Sequence, residues 1–411
     1  MKRFAFAFVI ICWLGSHAFA QVAPAATSSV TTQVPTRDFT YAFRYAENGQ
    51  FDTKLPTIQT SIVSGTLGFA NRTVNKPFIM DYAGGYTWTL SGPAYQTGQF
   101  HRMFISQGFN SRRWRVLARD SVGYLPQTPT SGFSGIPGTG EVIGNPDPAP
   151  TTNLSILAFN THVLNNSALV SVEHTLNFST TAMFSGGSDI LYFPNGDGFN
   201  TRSLTGNGQI DRRLSGRTSI GARYIFTQFE YPGSSVVMHT NTVLGGIQHR
   251  ISRSVTVTAF AGPQWIDSTV ATLVPTQTSY AATASLVYTK RSTSFGGNYF
   301  HGTNGGSGYL IGGSLDDMQG NFLYQFNRNV ALGFNGGYQR TASFNSSGIT
   351  NAAYGASQLM WQAGRNVIVF GSYSGRGQSS TSLLPGNVLN ETINTLSFGF
   401  GLSPRAGRGR P

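Results

Sequence analysis

Beyond its N-terminal segment this chain has no thiol: the single cysteine, Cys12, sits inside an apolar run near the start, so disulfides and Cys-based metal sites are excluded for the remainder. Charge is scarce as well. Asp, Glu, Lys and Arg make up 11% of the 411 residues, against about 25% in an average globular protein, and so few charges cannot coat an ordinary water-soluble surface. Long apolar runs are also missing: after residue 20 no segment approaches the roughly eighteen consecutive apolar residues of a membrane helix. Helical membrane proteins are thereby excluded along with disulfide-stapled and typical soluble folds.

The N-terminus reads as an export signal. Lys2 and Arg3 supply a positive start, Phe4 to Leu14 is unbroken apolar sequence, and Ala18-Phe19-Ala20 is a small-x-small cleavage site before Gln21. Residues 1–20 are thus expected to be a cleaved signal peptide and 21–36, rich in Ala, Thr and Pro, a disordered periplasmic lead-in. Export argues against a nucleic-acid role for the formal charge of +12, because the basic residues are scattered rather than gathered in a tail or helix.

What is abundant completes the picture: 50 glycines and 13% aromatics in a chain whose mean hydropathy is only −0.12. A membrane β-barrel reconciles these values. Its lipid wall takes the apolar and aromatic residues, its lumen takes Ser, Thr, Asn, Gln and Gly, and alternation between the two keeps local hydropathy low. The first strand shows the alternation, with Phe39, Tyr41, Phe43 and Tyr45 on one face and Asp38, Thr40, Ala42 and Arg44 on the other. Near the C-terminus Leu396, Phe398, Phe400 and Leu402 oppose Ser397, Gly399 and Gly401. That apolar, aromatic last strand resembles the recognition signal of the barrel-assembly machinery, although Ser403 to Pro411 follow it here.

Repeats set the strand count. Arg217, Arg253, Arg291, Arg328 and Arg365 fall in short polar turns at steps of 36, 38, 37 and 37 residues by subtraction. A constant step means a constant unit. About 37 residues is two strands, one tight turn and one longer loop, the asymmetric hairpin of an outer-membrane barrel. Carried upstream through Phe178, Asn110 to Arg112 and Asn71 to Asn75, the register predicts an all-β, antiparallel up-and-down transmembrane barrel of about eighteen strands over residues 37–402, with sixteen the runner-up. The strands run from Arg37 to Glu47 at one end of the chain to Glu391 to Leu402 at the other, and residues 403–411 form a tail. One segment interrupts the repeat: residues 125–153 hold Pro126, Pro129, Pro137, Pro146, Pro148 and Pro150 among many glycines. It reads as a long extracellular loop, either on the surface or folded into the pore.

Arginine is the residue type most exposed to chemistry here. On the expected strand Arg113 to Tyr124, Trp114, Val116, Ala118, Val122 and Tyr124 share a face, which puts Arg113, Arg115 and Arg119 on the other. A lipid-facing Arg at the bilayer midplane costs about 2–4 kcal/mol, so these arginines are expected to face the lumen. The same parity places Arg213, Arg223 and Arg44 inside, and Arg250 with less support. An inward arginine ladder would favour anions; alternatively the side chains pair with inward Asp81, Asp211, Asp317 or Glu173 and pack the lumen. Both readings stay open at this level.

No catalytic, cofactor or metal site emerges. His162, His174, His239, His249 and His301 stand in no recognisable motif, and His162 and His174 fall at opposite ends of one strand. The glycine-rich stretch Gly302 to Gly313 lacks the Lys-Ser/Thr ending of a phosphate loop and reads as a plain loop.

In class the pattern resembles bacterial porins. More narrowly, Gly85-Tyr86-Thr87-Trp88-Thr89-Leu90-Ser91-Gly92, Gly132-Phe133-Ser134-Gly135-Ile136-Pro137-Gly138 and Gly262-Pro263-Gln264-Trp265 resemble stretches of a family of outer-membrane barrels, some associated with exopolysaccharide or exosortase-type secretion. The resemblance implies location and fold and assigns no activity. The expectation is an outer-membrane, non-enzymatic pore for passive diffusion of small, mildly anionic solutes; the alternatives are an accessory barrel for exopolysaccharide export and a structural surface scaffold. Expected partners are outer-membrane lipid, the assembly machinery and small anions or polysaccharide, with the oligomeric state open.

Overall fold

The computed structural model describes residues 37–52, 57–71, 73–92, 97–126, 162–196, 198–344, 348–364, 366–381 and 390–402. The expected signal peptide and lead-in, residues 403–411 and nearly all of the Pro/Gly segment 125–153 lie outside these residues, as does Arg365. Eighteen strands follow in chain order: β1 (Arg37–Asp52), β2 (Ile58–Asn71), β3 (Phe78–Ser91), β4 (Gly98–Asn110), β5 (Trp114–Pro126), β6 (His162–Thr175), β7 (Thr180–Tyr192), β8 (Thr201–Arg213), β9 (Thr218–Glu230), β10 (Val237–Arg250), β11 (Val255–Ser268), β12 (Gln277–Lys290), β13 (Thr293–Asn304), β14 (Gly313–Gln325), β15 (Val330–Ser343), β16 (Ile349–Gln362), β17 (Val367–Ser380) and β18 (Thr392–Leu402).

Every strand pairs antiparallel with its chain neighbours, and β1 closes the ring by pairing with both β2 and β18. Phe43, for example, stands opposite Gly65 on one side and Leu402 on the other. Closure leaves no free edge, which is the condition for a sheet to exist in lipid. Strands of 13 residues such as β4 and β8 rise about 30 Å at ~3.3 Å per residue and a tilt near 45°, enough for an apolar band of about 25 Å.

The turns explain the repeat. At one end of the barrel the connections are short, and the turns at 176–179, 214–217, 251–254 and 326–329 are built alike. Asn177 Oδ1 accepts from the Ser179 amide, Ser215 Oγ from Arg217, Ser252 Oγ from Ser254 and Asn327 Oδ1 from Asn329, at 2.8–3.2 Å. These side-chain turns reverse the chain without any residue at positive φ, Gly216 included. Arg291, in the two-residue turn between β12 and β13, has φ of 49°, alone among described non-glycine residues in being positive; a tight hairpin turn requires it. The opposite end carries the longer loops.

Side-chain parity runs unbroken around the ring. Opposed residues share a face, so the register carries the outward set of β1 (Phe39, Tyr41, Phe43) through Leu67, Tyr82, Met103, Val122 and Leu164 and back through Phe398 and Phe400. These residues are exposed in the isolated chain, as an apolar wall must be before lipid covers it. All described tryptophans face out: Trp114 and Trp361 near the short-turn end, Trp88 and Trp265 near the long-loop end. Two aromatic belts at the two boundaries are the mark of a barrel seated in a bilayer. The protein folded into vesicles brominated along the acyl chains should therefore lose most of its tryptophan emission; emission indifferent to bromination would contradict this orientation.

Tyrosines add to the belt. The hydroxyl of Tyr224 donates to Asn241 Oδ1 at 2.6 Å, that of Tyr338 to Asn351 at 2.9 Å and that of Tyr373 to Asn394 at 2.7 Å, while Tyr82 Oη lies 2.8 Å from His101 Nδ1. All are outward pairs on neighbouring strands. The outer wall also holds Asp120, whose Oδ1 accepts from Asn166 Nδ2 at 2.7 Å.

Candidate functional site: the lumen

Inward parity collects Arg44, Arg102, Arg115, Arg119, Arg213, Arg223, Arg250 and Arg376, against Asp81, Glu173, Asp189, Asp211 and Asp317. Four of the arginines named from the sequence, Arg115, Arg119, Arg213 and Arg223, stand on this wall. Arg113 does not belong to it: β5 begins at Trp114, and Arg113 occupies the exposed turn before it, its carbonyl accepting from the Thr175 amide at 2.9 Å. Alternation cannot see where a strand starts, which is why parity counted it in.

The inward carboxylates are satisfied mostly by neutral donors. Asp189 accepts from Ser167 Oγ at 2.5 Å and Ser203 Oγ at 3.2 Å. Asp317, fully buried, accepts from Gln319 Nε2, and Asp211 from Gln209 Nε2. Glu173 instead meets an arginine, Arg115 directly opposite at 3.2 Å. Among the described residues no carboxylate lies within ion-pair distance of Arg119, Arg213 or Arg223. Arg223 is buried with its guanidinium 3.7 Å over the Phe260 ring, a cation on an aromatic face. The Nε atoms of Arg119 and Arg223 have no hydrogen-bond partner. The sequence left two readings open, and Arg115 follows one of them, the packing pair, while Arg119 and Arg223 form no ion pair, Asp211 reaching Arg223 only through its longer-range charge.

Arg217, Arg253 and Arg328 occupy short turns and are exposed, and Arg213 and Arg250 end β8 and β10 at the same rim. This mouth is strongly cationic.

At the other mouth a loop enters the barrel. Residues 305–312, joining β13 to β14, turn inward through a 3-10 turn at Gly306–Gly308 and reach across to strands on the far side. Tyr309 and Leu310 bury themselves with Val163 of β6, Leu191 of β7 and Phe193 beyond it; the Phe193 and Tyr309 rings meet edge to face at 5.4 Å. The Phe199 amide donates to the Gly308 carbonyl at 2.5 Å. Gly308 has φ of 79° and touches the Phe193 ring so closely that a Cβ there would lie 2.3 Å from it, so only glycine permits both the turn and the contact. Behind the loop, Met238, Ile266 and Val274 form a second apolar cluster with Phe229, Ile311 and Phe344. Tyr231, in the β9–β10 loop, is buried beside it, which pushes its phenol above the ordinary tyrosine range. The segment 125–153, expected as a surface or pore loop, lies almost wholly outside the described residues, and 302–313 was expected as a plain loop; among the described residues it is 305–312 that enters the barrel. Its signal was present as Tyr309-Leu310-Ile311, three apolar residues in a loop that needs a place to bury them.

The histidines face outward, not into the lumen. His162 stacks on Tyr124, His174 on Trp114, His239 on Phe226 and His301 on Tyr280. Among the described residues no group of three His, Cys, Asp or Glu could hold a metal ion.

A closed sheet, greasy outside and polar within, between two aromatic belts, is decisive for the class. The chain is an outer-membrane-type β-barrel of eighteen antiparallel strands. No family model and no curated protein matches it. Among solved structures it is similar to Pseudomonas aeruginosa OccK2 (OpdF) in complex with glucuronate, at 11% identity and a TM-score of 0.46 over 89% of this chain and 98% of that one. It is also similar to Acinetobacter baumannii OccAB4, at 10% identity and 0.44 over 90% and 99%, and to the outer membrane protein OpdK of Pseudomonas aeruginosa, at 10% and 0.44 over 89% and 98%. So distant a likeness carries neither solute nor mechanism to this barrel, whose class stands on its own strand register.

Proposed function

We propose that this barrel is a passive outer-membrane pore for small solutes with a mild preference for anions. The observation that supports the reading is the imbalance on the lumen wall: Arg119 and Arg223 have no carboxylate within ion-pair distance while Asp189, Asp211 and Asp317 are held by serine and glutamine. Fixed positive charge in a narrow aqueous passage with low-dielectric walls concentrates anions and repels cations. Arg213 at the end of β8 and Arg113 in the short turn add to the field at the cationic mouth, where they steer rather than select. Arg115, partly neutralised by Glu173, contributes least.

Planar-bilayer recordings in a potassium chloride gradient test this. The reversal potential is expected on the chloride side, and Arg119→Ala with Arg223→Ala should move it toward zero while the pore stays open. A wild-type barrel with no conductance would leave a closed scaffold as the better reading, and a potential unmoved by the double substitution would remove these arginines from selectivity.

A further inference from the structure

Among the polar groups of the outer wall, one constellation joins three ionisable side chains on three adjacent strands. On β13 and β14 the outward residues His301 and Asp316 stand directly opposite each other, and Arg340 of β15 stands opposite Asp316 in turn. Asp316 Oδ1 lies 2.6 Å from His301 Nδ1, and its Oδ2 lies 3.6 Å from an Arg340 guanidinium nitrogen. Tyr299 also hydrogen-bonds Asp316, and the Tyr280 ring stacks on His301 at 4.1 Å. A separation of 3.6 Å is too long for a hydrogen bond, so the carboxylate orients the guanidinium without using up its donors. The Arg340 side chain remains 46% exposed. Each of these residues sits about three positions from the long-loop end of its strand, at the level where headgroups meet acyl chains.

Directly beneath lies a groove of about 390 Å³ in the same outer wall. Its floor is made of residues with almost no side chain, Gly245, Ala259, Ala261, Ala282 and Ala284, and Tyr299 forms one bank. Its lining is nearly all apolar. The two features are continuous: Ala282 of the floor is the register partner of His301, and Tyr299 belongs to both. We propose that this is a binding site for a phosphate-bearing membrane lipid of the leaflet at the long-loop end, its phosphate held by the exposed Arg340 guanidinium, with the buried His301 fixing Asp316 beside it, and one acyl chain laid along the groove. Charge and shape argue for that occupant together. Arg340 is paired with Asp316 but not hydrogen-bonded to it and stays 46% exposed, so its free donors can take a phosphate, and a channel floored with alanine and glycine between Ile247 and Tyr299 admits a flexible hydrocarbon chain. The proposal needs only that the barrel sits in a membrane and is independent of what passes through it.

Native mass spectrometry of the detergent-purified barrel tests it, with dioleoylphosphatidylglycerol and dioleoylphosphatidylcholine as probes. Wild type should retain phosphatidylglycerol preferentially. Arg340→Gln with His301→Gln should cut that preference about tenfold, and Ala284→Leu, which fills the groove and keeps the cations, should reduce retention of both lipids; Ala282→Leu serves if that variant does not fold. Equal retention of the two lipids by wild type, or unchanged retention in folded variants, overturns the proposal. So would an oligomer that falls apart on Ala284→Leu, since the groove would then be filled by a second copy of the chain.

Discussion

Excising residues 306–311 and joining Gly305 to Gly312 through a Gly-Ser link should raise the single-channel conductance by roughly a factor of two, since current follows the open cross-section at the narrowest point. The loop is the described segment that leaves the wall and crosses the mouth, and Tyr309 and Leu310 anchor it on the far strands. The same excision should weaken the barrel, because burying each of those side chains is worth about 1.5–3 kcal/mol and their loss leaves Val163, Leu191 and Phe193 facing water. Conductance and urea resistance would thus change in opposite directions. A conductance that stays the same after excision would mean that the limiting section lies deeper, beside Arg223 and Phe260.

Gly262→Ala should be the most damaging methyl group that can be added to the wall. A Cβ at that position would lie 2.0 Å from the Val243 carbonyl oxygen and 3.0 Å from its carbonyl carbon, both backbone atoms of the neighbouring strand, so neither can swing aside. The approach is close because Pro263, next in β11, donates no hydrogen bond, and the register between β10 and β11 lapses between Thr242–Gln264 and Gly245–Ala261. Overpacking of this kind costs about 3 kcal/mol when the backbone itself must move. Gly206→Ala is the matched control, with nothing within 4 Å of the new atom, and should leave the unfolding midpoint nearly where it was. Urea titrations followed by gel mobility would separate the two, and equal midpoints would show that the β10–β11 gap is compliant.

Much of this architecture is legible without coordinates because a barrel repeats itself. The step between Arg217, Arg253, Arg291 and Arg328 gave the hairpin unit, and eighteen strands are present. Strand ends were harder to read. β1 runs on to Asp52 rather than stopping at Glu47, because Asn48-Gly49, ordinarily a strong hairpin signal, is here paired on both sides, Asn48 with Thr60 and with Ser397. β7 likewise runs through Asp189 to Tyr192, since Asp189 faces the lumen and finds serine donors instead of ending the strand. Inward polar residues look like loop to a hydropathy pattern. The constriction was illegible for another reason: Tyr309 meets Val163 and Phe193, more than a hundred residues away in the chain, and no local pattern reports who a loop will touch. The arginines lie between these cases. Parity placed Arg115, Arg119, Arg213 and Arg223 correctly, yet only coordinates distinguish the one held by Glu173 from those that are not.

The tyrosine pairs of the outer wall bear on how such a protein changes over time. Tyr82–His101, Tyr224–Asn241, Tyr338–Asn351 and Tyr373–Asn394 all bridge strands joined at the long-loop end, and each reaches diagonally to the residue two places before its direct partner. Tight turns fix the alignment of the other hairpins from within. Where the connection is long it can impose no alignment, and the phenol serves as a latch that a one-residue slip would unfasten. Insertions and deletions in those loops are then free to accumulate without shifting the staves of the cask, so the outward-looking face of the molecule can diversify while the passage behind it keeps its shape.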